Sequence, residues 1–484
     1  ALWSGRRHLS LELLVSCLVL GAAGMTPYLY LLVASSPPKQ FAWGDTSTMG
    51  GFLNHMLRRE YGSFSMTNVA RMQDQRSRGT QLVRRLGLYF SDLTRKQGLY
   101  VLPLLVALGW CSASSASLAS SASARRRDAG SLRWALLASW AGYLLAFHLL
   151  ANIDLDRALF TTVVSRFWQQ PNMLVFVYVG PGLHQLVRVL KAPEVVEPVA
   201  AISLLALQVA LNYPSLDRSN SDVISTFARD VLTPLPKDSL LLVLGEENLY
   251  PLVYMQSCEH LRPDVRIVSK EMSSIDWYVQ HQSAHLPGVV FPGKRLASRA
   301  RRASPGSFLM SEFLTRNLAE RAVFVLGGAY ANFLENQLSE PSVAAAPVTA
   351  WPEGLSERVY SAAEHPSVDA IYQRHMQVMR SLGLRNATFR PDDGEHTWEW
   401  LGLDALWQGY YRIGWHMSQY GIRRGGEHKW EIDMSAEVSA KRRPVQQDAY
   451  TKAFKHALSA YQVLEAQHKA QTYPYRVSNK LPLD

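Results

Sequence analysis

Two stretches of this sequence set arginines beside aromatic residues at spacings suited to gripping a phosphate-bearing lipid. The first runs Phe41-Ala42-Trp43-Gly44-Asp45 and on to His55, Arg58, Arg59, Glu60 and Tyr61. There an aromatic, a turn and an acid lead into a helix with His55 and Arg58/Arg59 near one face. The second is Asn152-Ile153-Asp154-Leu155-Asp156-Arg157, then an apolar-periodic segment ending Arg166-Phe167-Trp168. An amphipathic segment of that kind lies along a membrane surface with its Trp at headgroup depth. A guanidinium at that depth holds a lipid-linked phosphate through paired N–H donors. The plain alternative is that these residues only anchor their loops to headgroups, and the pattern by itself favours that alternative.

Other constellations point to little. Gly327-Gly328 follows a strand but lacks the GxGxxG spacing that lets backbone approach a pyrophosphate, and there is no P-loop Lys-Ser/Thr. An ordinary tight turn accounts for it. His281 and His285 have the i, i+4 spacing of a metal pair, but no Glu follows His281 and no third ligand is evident. No metal site is therefore assigned, and no cofactor is evident. No nucleophile elbow is visible. Three cysteines and no CxxC exclude a disulfide framework, a zinc ribbon and thioredoxin-type redox chemistry. The net charge of +10 invites a nucleic-acid reading. The arginine clusters, however, lie beside apolar runs without interleaved aromatics, so topology and anionic headgroups explain them and no nucleic-acid partner is expected.

The elements that must position these residues divide into two unlike halves. The chain has 484 residues, too many for one core, and 48% are apolar with 19% charged. Long uncharged runs are confined to the first 212 residues. Spans are expected near 11–35, 98–120, 132–151, 172–190 and 195–212, about five in all, each meeting a hydrocarbon core of roughly 30 Å. The first run exceeds a typical signal-peptide core and ends with Tyr28 and Tyr30, so it reads as a span. Arg6-Arg7, the loop Arg125-Arg126-Arg127 with Arg133, and Arg188 with Lys191 mark the cytosolic side. Residues 39–97, 152–171 and everything after 212 then face the lumen. Loop 39–97 is itself Arg-rich, but its length is at the limit where loop charge controls topology. The sequon Asn386-Ala387-Thr388 agrees, because glycan acceptors lie in the lumen. An odd number of spans and the lack of an initiator Met lead to the expectation of a preceding segment.

In the second half, Leu240–Leu244 reads as a buried strand, followed by Gly245-Glu246-Glu247, a helical pattern through Leu261, the turn Arg262-Pro263-Asp264 and a strand over Val265–Val268. Ala322–Leu326 and the stretch to Leu338 repeat the theme, so a parallel α/β layer is expected over residues 213–350. Residues 351–484 read as mostly helical, with helices over 366–385 and 449–468.

At the two loops the sequence resembles a known family. Gly24-Met25-Thr26-Pro27-Tyr28, Trp43-Gly44-Asp45-Thr46-Ser47-Thr48-Met49-Gly50-Gly51-Phe52, Leu57-Arg58-Arg59-Glu60-Tyr61-Gly62, Leu155-Asp156 and Arg166-Phe167-Trp168 are similar to the transmembrane protein 260 family. So are Cys258 to Val265, Glu271-Met272, Trp277-Tyr278 and His285 to Gly293, with a weaker match beyond. The resemblance implies a polytopic α-helical membrane domain, a partial GT-C fold, followed by a luminal α/β domain and a helical C-terminal region. It implies an endoplasmic reticulum O-mannosyltransferase moving mannose from dolichyl-phosphate mannose to Ser/Thr hydroxyls of a luminal protein, in animals of IPT domains of plexin-type receptors. The family's catalytic acid is expected before residue 1, so no catalytic base is placed on this chain.

An inverting transfer of that kind needs a carboxylate to take the hydroxyl proton and cations or donors to stabilise the leaving phosphate. Arg166 is the first candidate for that phosphate, then Arg58 and Arg59. Trp43 and Trp168 flank these groups, and Asp45 either positions substrate or holds the Trp43-Gly44-Asp45 turn. The rival from another class is a non-enzymatic membrane scaffold whose luminal domain binds partners. A transporter is disfavoured, because only His148, His184 and terminal charges enter the apolar runs.

Overall fold

In the computed structural model, residues 22–35, 44–57, 78–97, 100–119, 123–150, 158–297, 305–327, 348–361, 366–387 and 397–402 are described, with isolated positions including Ala42 and Arg59 and eight between 404 and 413. Most of residues 11–21 of the expected 11–35 span, the stretch after Gly327 and the helix at 449–468 lie outside them. The chain divides into two compact units, one of residues 61–221 and 392–398, the other of residues 1–60, 222–391 and 399–484. The expected membrane domain 1–212 thus divides at residue 60. Helix α1 (Met49–Met56) belongs to the α/β unit.

The first unit is helical: α2 (Arg78–Asp92), α3 (Leu102–Ala119), α4 (Ser123–Leu150), α5 (Ala158–Ser165), α6 (Gln169–Phe176), α7 (Val179–Val189) and α8 (Val196–Leu216). Leu86, Tyr89 and Leu93 recur at i, i+3, i+7, and this stripe packs with Leu102, Leu144, Val164 and Trp168 into one core. Arg125, Arg126, Arg127 and Arg133, expected in a loop, lie within α4, because nothing between Ser123 and Leu150 breaks a helix. Helices α3 and α7 meet backbone to backbone. A Cβ on Gly182 would land on the Leu105 carbonyl, and one on Gly109 on the Tyr178 carbonyl. Among the described residues α8 alone is long and apolar enough to cross a membrane, and none of its residues is buried.

The second unit is built on a five-stranded sheet of order β2-β1-β5-β7-β6, from β1 (Leu240–Val243), β2 (Arg266–Ser269), β5 (Val323–Leu326), β6 (Val348–Glu353) and β7 (Ser356–Ser361). A small pair, β3 (Arg295–Leu296) and β4 (Ser307–Phe308), stands beside it. Alternate residues of β1, β2 and β5 feed two cores. Leu241, Val243, Ile267, Phe324 and Leu326 face α9 (Val223–Leu232), α10 (Glu246–Ser257) and α13 (Val368–Ser381). Leu240, Leu242, Val268, Val323 and Val325 face α11 (Asp276–Gln282) and α12 (Met310–Leu318). Helices on both faces explain why Leu240–Val243 is apolar at every position.

The sheet corrects two expectations. It is mixed rather than parallel: β1 pairs in parallel with β2 and β5, and β5 pairs antiparallel with β7. The region after 350, expected to be mostly helical, opens with a hairpin, and the helix expected over 366–385 follows it as α13. Glu353 pairs with Ser356 across a two-residue turn whose first residue, Gly354, has φ +66°, the left-handed value that such hairpins need.

Candidate functional site

The Arg166–Trp168 turn is a single 3-10 turn between α5 and α6. Three aromatic residues of α4 hold it. Tyr143 Oη donates to the Phe167 carbonyl at 3.0 Å, Phe147 meets Phe167 at 5.2 Å between ring centroids, and the His148 ring lies 6.4 Å from that of Trp168. Tyr89 packs edge-on against Trp168 at 5.8 Å and accepts a hydrogen bond from Trp140 Nε1 at 3.0 Å. Trp168 is only 3% exposed, so it plugs the helical core and does not face outward. Arg166 does the reverse: it is exposed, with its guanidinium 5.4 Å over the Phe167 ring. The buried indole fixes the turn and the turn presents the cation. The positions Trp140, Tyr143, Phe147 and His148 follow helical spacing, and that stripe was the available signal for the residues that sequence reading passed over.

The other loop is organised by its acid. Asp45 Oδ1 accepts from Ser47 Oγ at 2.6 Å and from Ser47 N at 3.2 Å, and Thr48 caps α1 by accepting from Gly51 N at 3.1 Å. Gly44, at φ +107°, leaves no room for a Cβ because the His55 ring fills that space. Asp45 Oδ1 also lies 3.5 Å from His281 Nε2, which ties the loop to α11. His281 therefore faces a carboxylate, and among the described residues no three His, Cys, Asp or Glu side chains converge. Arg59 is exposed, while Trp43 and Arg58 lie outside the described residues. Thus Arg166 and Trp168 share one turn of the helical unit, whereas Asp45 and Arg59 belong to the α/β unit.

The Gly245 turn after β1 does not form a phosphate cradle. Gly245 N donates to Glu271 Oε1 at 3.2 Å, and Glu246 and Glu247 occupy the first turn of α10. Carboxylates already complement that helix terminus and would repel a phosphate.

Residues 224–286 match the family described as TMEM260-associated domain 2. The chain is 35% identical over 296 residues to a mouse protein named "Protein O-mannosyl-transferase TMEM260", covering 60% of this chain and 40% of the relative. The chain is thus similar to the TMEM260 family over these stretches. A Dictyostelium discoideum protein named "Protein O-mannosyl-transferase tmem260" is 25% identical over 354 residues, 67% of this chain and 40% of that one. The chain thus matches two-fifths of the length of these TMEM260 relatives. No solved structure matches.

Within the TMEM260-associated domain, the Arg262-Pro263-Asp264 turn has a structural task. Arg262 pairs in a fork with Asp264 at 2.8 and 2.7 Å and donates to the carbonyls of Leu232, Leu235 and Pro236 at 3.0, 2.7 and 2.9 Å. It closes the C-terminal end of α9 onto the strand that follows. From within the same domain, Asp230 accepts from Gly383 N at 2.9 Å and Leu384 N at 2.8 Å, which pins the turn that ends at Asn386. Burial pushes the Asp230 carboxyl above its ordinary value, against those two hydrogen bonds. Asn386 is exposed. A luminal α/β unit would carry a glycan on Asn386, and Asn386→Gln is then expected to give a single-step mobility shift that endoglycosidase treatment of the parent protein reproduces.

Proposed function

We propose that this chain is the part of a multi-pass endoplasmic reticulum glycosyltransferase that moves mannose from dolichyl-phosphate mannose to Ser/Thr hydroxyls of luminal or receptor ectodomains, IPT-type domains among them. The observation that supports this reading is the 35% identity over 296 residues to a protein named as a protein O-mannosyl-transferase. In this reading the fold is GT-C, α8 is one of several spans, and the α/β unit lies in the lumen.

The chemistry assigns work to the exposed cation. When the acceptor oxygen attacks the anomeric carbon, negative charge grows on the departing dolichyl phosphate, which leaves without a general acid. Arg166, held out by its aromatic clamp, meets that charge with paired N–H donors. Arg58 and Arg59 are further phosphate contacts, Asp45 and Trp43 shape the other loop, and Trp168 serves as the plug behind Arg166. No residue of this chain is assigned as the base.

The test reconstitutes the full-length protein in liposomes with radiolabelled dolichyl-phosphate mannose and a purified IPT domain. Mannose is expected on the acceptor, and Arg166→Ala is expected to lower kcat/KM for the donor roughly thirtyfold, the loss of one or two charge-assisted hydrogen bonds. Tight binding of the ectodomain without transfer by the folded wild-type protein would establish the scaffold reading instead. Unchanged donor kinetics in Arg166→Ala would remove Arg166 from the phosphate site.

A further inference from the structure

The helical unit contains a groove of about 290 Å³ between α3 and α4, lined chiefly by Leu93, Leu102, Val106, Trp110, Trp140 and Tyr178. Its volume sits at the lower end of ligand pockets, roughly 300–1,000 Å³. Two polar side chains lie beside one end of this apolar space. Tyr178 is 9% exposed, and its hydroxyl has no hydrogen-bond partner among the described residues. Its ring lies 5.5 Å from that of Trp110. The Arg133 guanidinium stacks 4.7 Å over the Trp110 ring and 5.7 Å over Trp134. Arg125, Arg126 and Arg127 precede it by about two turns on the same helix.

A slot of carbon flanked by a guanidinium and a phenol complements a molecule with an acyl tail and an anionic head. We infer that this groove is a binding site for an anionic phospholipid, one chain lying against Trp110 and Trp140 and the phosphate at Arg133 and Tyr178. The site is separate from the one assigned to the sugar donor. Tyr143 and His148, which meet the Arg166–Trp168 turn, lie ten and fifteen residues along α4 from Arg133, roughly 15–22 Å at the helical rise. One headgroup does not bridge that span. Basic residues mark the cytosolic leaflet, where anionic lipids concentrate, so the phospholipid comes from that side.

The experiment measures lipid retention, which does not depend on mannose transfer. The full chain is reconstituted in nanodiscs of phosphatidylcholine and phosphatidylglycerol in equal parts, extracted in mild detergent, and its bound lipids are counted by native mass spectrometry. Phosphatidylglycerol is expected to be retained over phosphatidylcholine by roughly fivefold, and Arg133→Gln to abolish that preference. Val106→Trp, which fills the groove, is expected to release both lipids. Tyr178→Phe, which keeps the packing, weakens phosphatidylglycerol alone and stands in should Arg133→Gln fail to fold. Equal retention of the two lipids by the wild-type chain would overturn the inference. So would full displacement of phosphatidylglycerol by equimolar dolichyl phosphate, which would give the groove to the donor.

Discussion

Gly182→Ala is expected to cost the helical unit about 3 kcal/mol, the upper part of the range for overpacking, and to lower the folded fraction recovered in detergent. The added methyl meets the Leu105 carbonyl, which is backbone and has nowhere to go. Gly109→Ala strikes the Tyr178 carbonyl from the other side of the same crossing. The controls are two other helical glycines: nothing lies within 4 Å of a Cβ built on Gly87 or Gly142. Alanine there is expected to stabilise by roughly 0.5–1 kcal/mol, the ordinary helix-interior gain. Thermal melting of the four single variants in one detergent checks the pattern. A Gly182→Ala protein that melts with Gly142→Ala would mean that α3 and α7 do not cross where Gly109 and Gly182 place them. Small residues that let helices touch are a common device of helix packing inside membranes.

Arg262→Ala is expected to destabilise the α/β unit by about 3 kcal/mol, because it strips the carbonyls at the end of α9 and leaves Asp264 without its fork. Arg262→Lys recovers part of this, since an ammonium cannot span both Asp264 oxygens and the Leu235 carbonyl together. The pair also sets an acid dependence. The Arg262 guanidinium holds the Asp264 carboxyl far below its ordinary value, so the folded state binds that proton less readily than the unfolded chain does. This contribution is complete above the unfolded carboxylate value, about pH 4, and drains away as the pH falls further. In Asp264→Asn the loss is present at neutral pH, and the acid slope of stability between about pH 4 and pH 2 flattens. Denaturant melts across that range distinguish the two proteins, and parallel slopes would remove the pair from the acid response.

The strands β1 and β5 were legible because unbroken apolar runs bounded by glycine and charged turns have few other uses, and β2 because Val265, Ile267 and Val268 follow the Arg262-Pro263-Asp264 turn. The β6–β7 hairpin was not, since Pro352 and Gly354 interrupt the alternation and the strand residues Glu353 and Glu357 look solvent-facing. Both are in fact buried beside arginines: Arg374 Nε lies 3.0 Å from Glu353, and Arg412 3.6 Å from Glu357. A sequence does not announce a charge that finds its partner some twenty or fifty residues on. Hydropathy likewise marked the apolar stretch 132–151 but treated Tyr143 and Phe147 as filler, and weighed His148 only against transport, although all three hold the Arg166 turn. Trp168 was read by its preference for interfaces, and the socket of Tyr89, Leu144 and Val164 overrode that preference. The attachment of Asp45 to His281 joins residues far apart in the chain, which no local pattern encodes.

That attachment has a consequence for synthesis. The segment around Asp45 leaves the ribosome well before its docking surface exists, because all of residues 61–221 are made in between. At roughly 5–20 residues per second the interval is some tens of seconds, long compared with the microseconds in which a helix forms. Throughout that interval the loop has no native resting place, so a nascent chain stalled before His281 should present the Trp43–Met56 segment to proteases and to chaperones that the finished protein no longer engages.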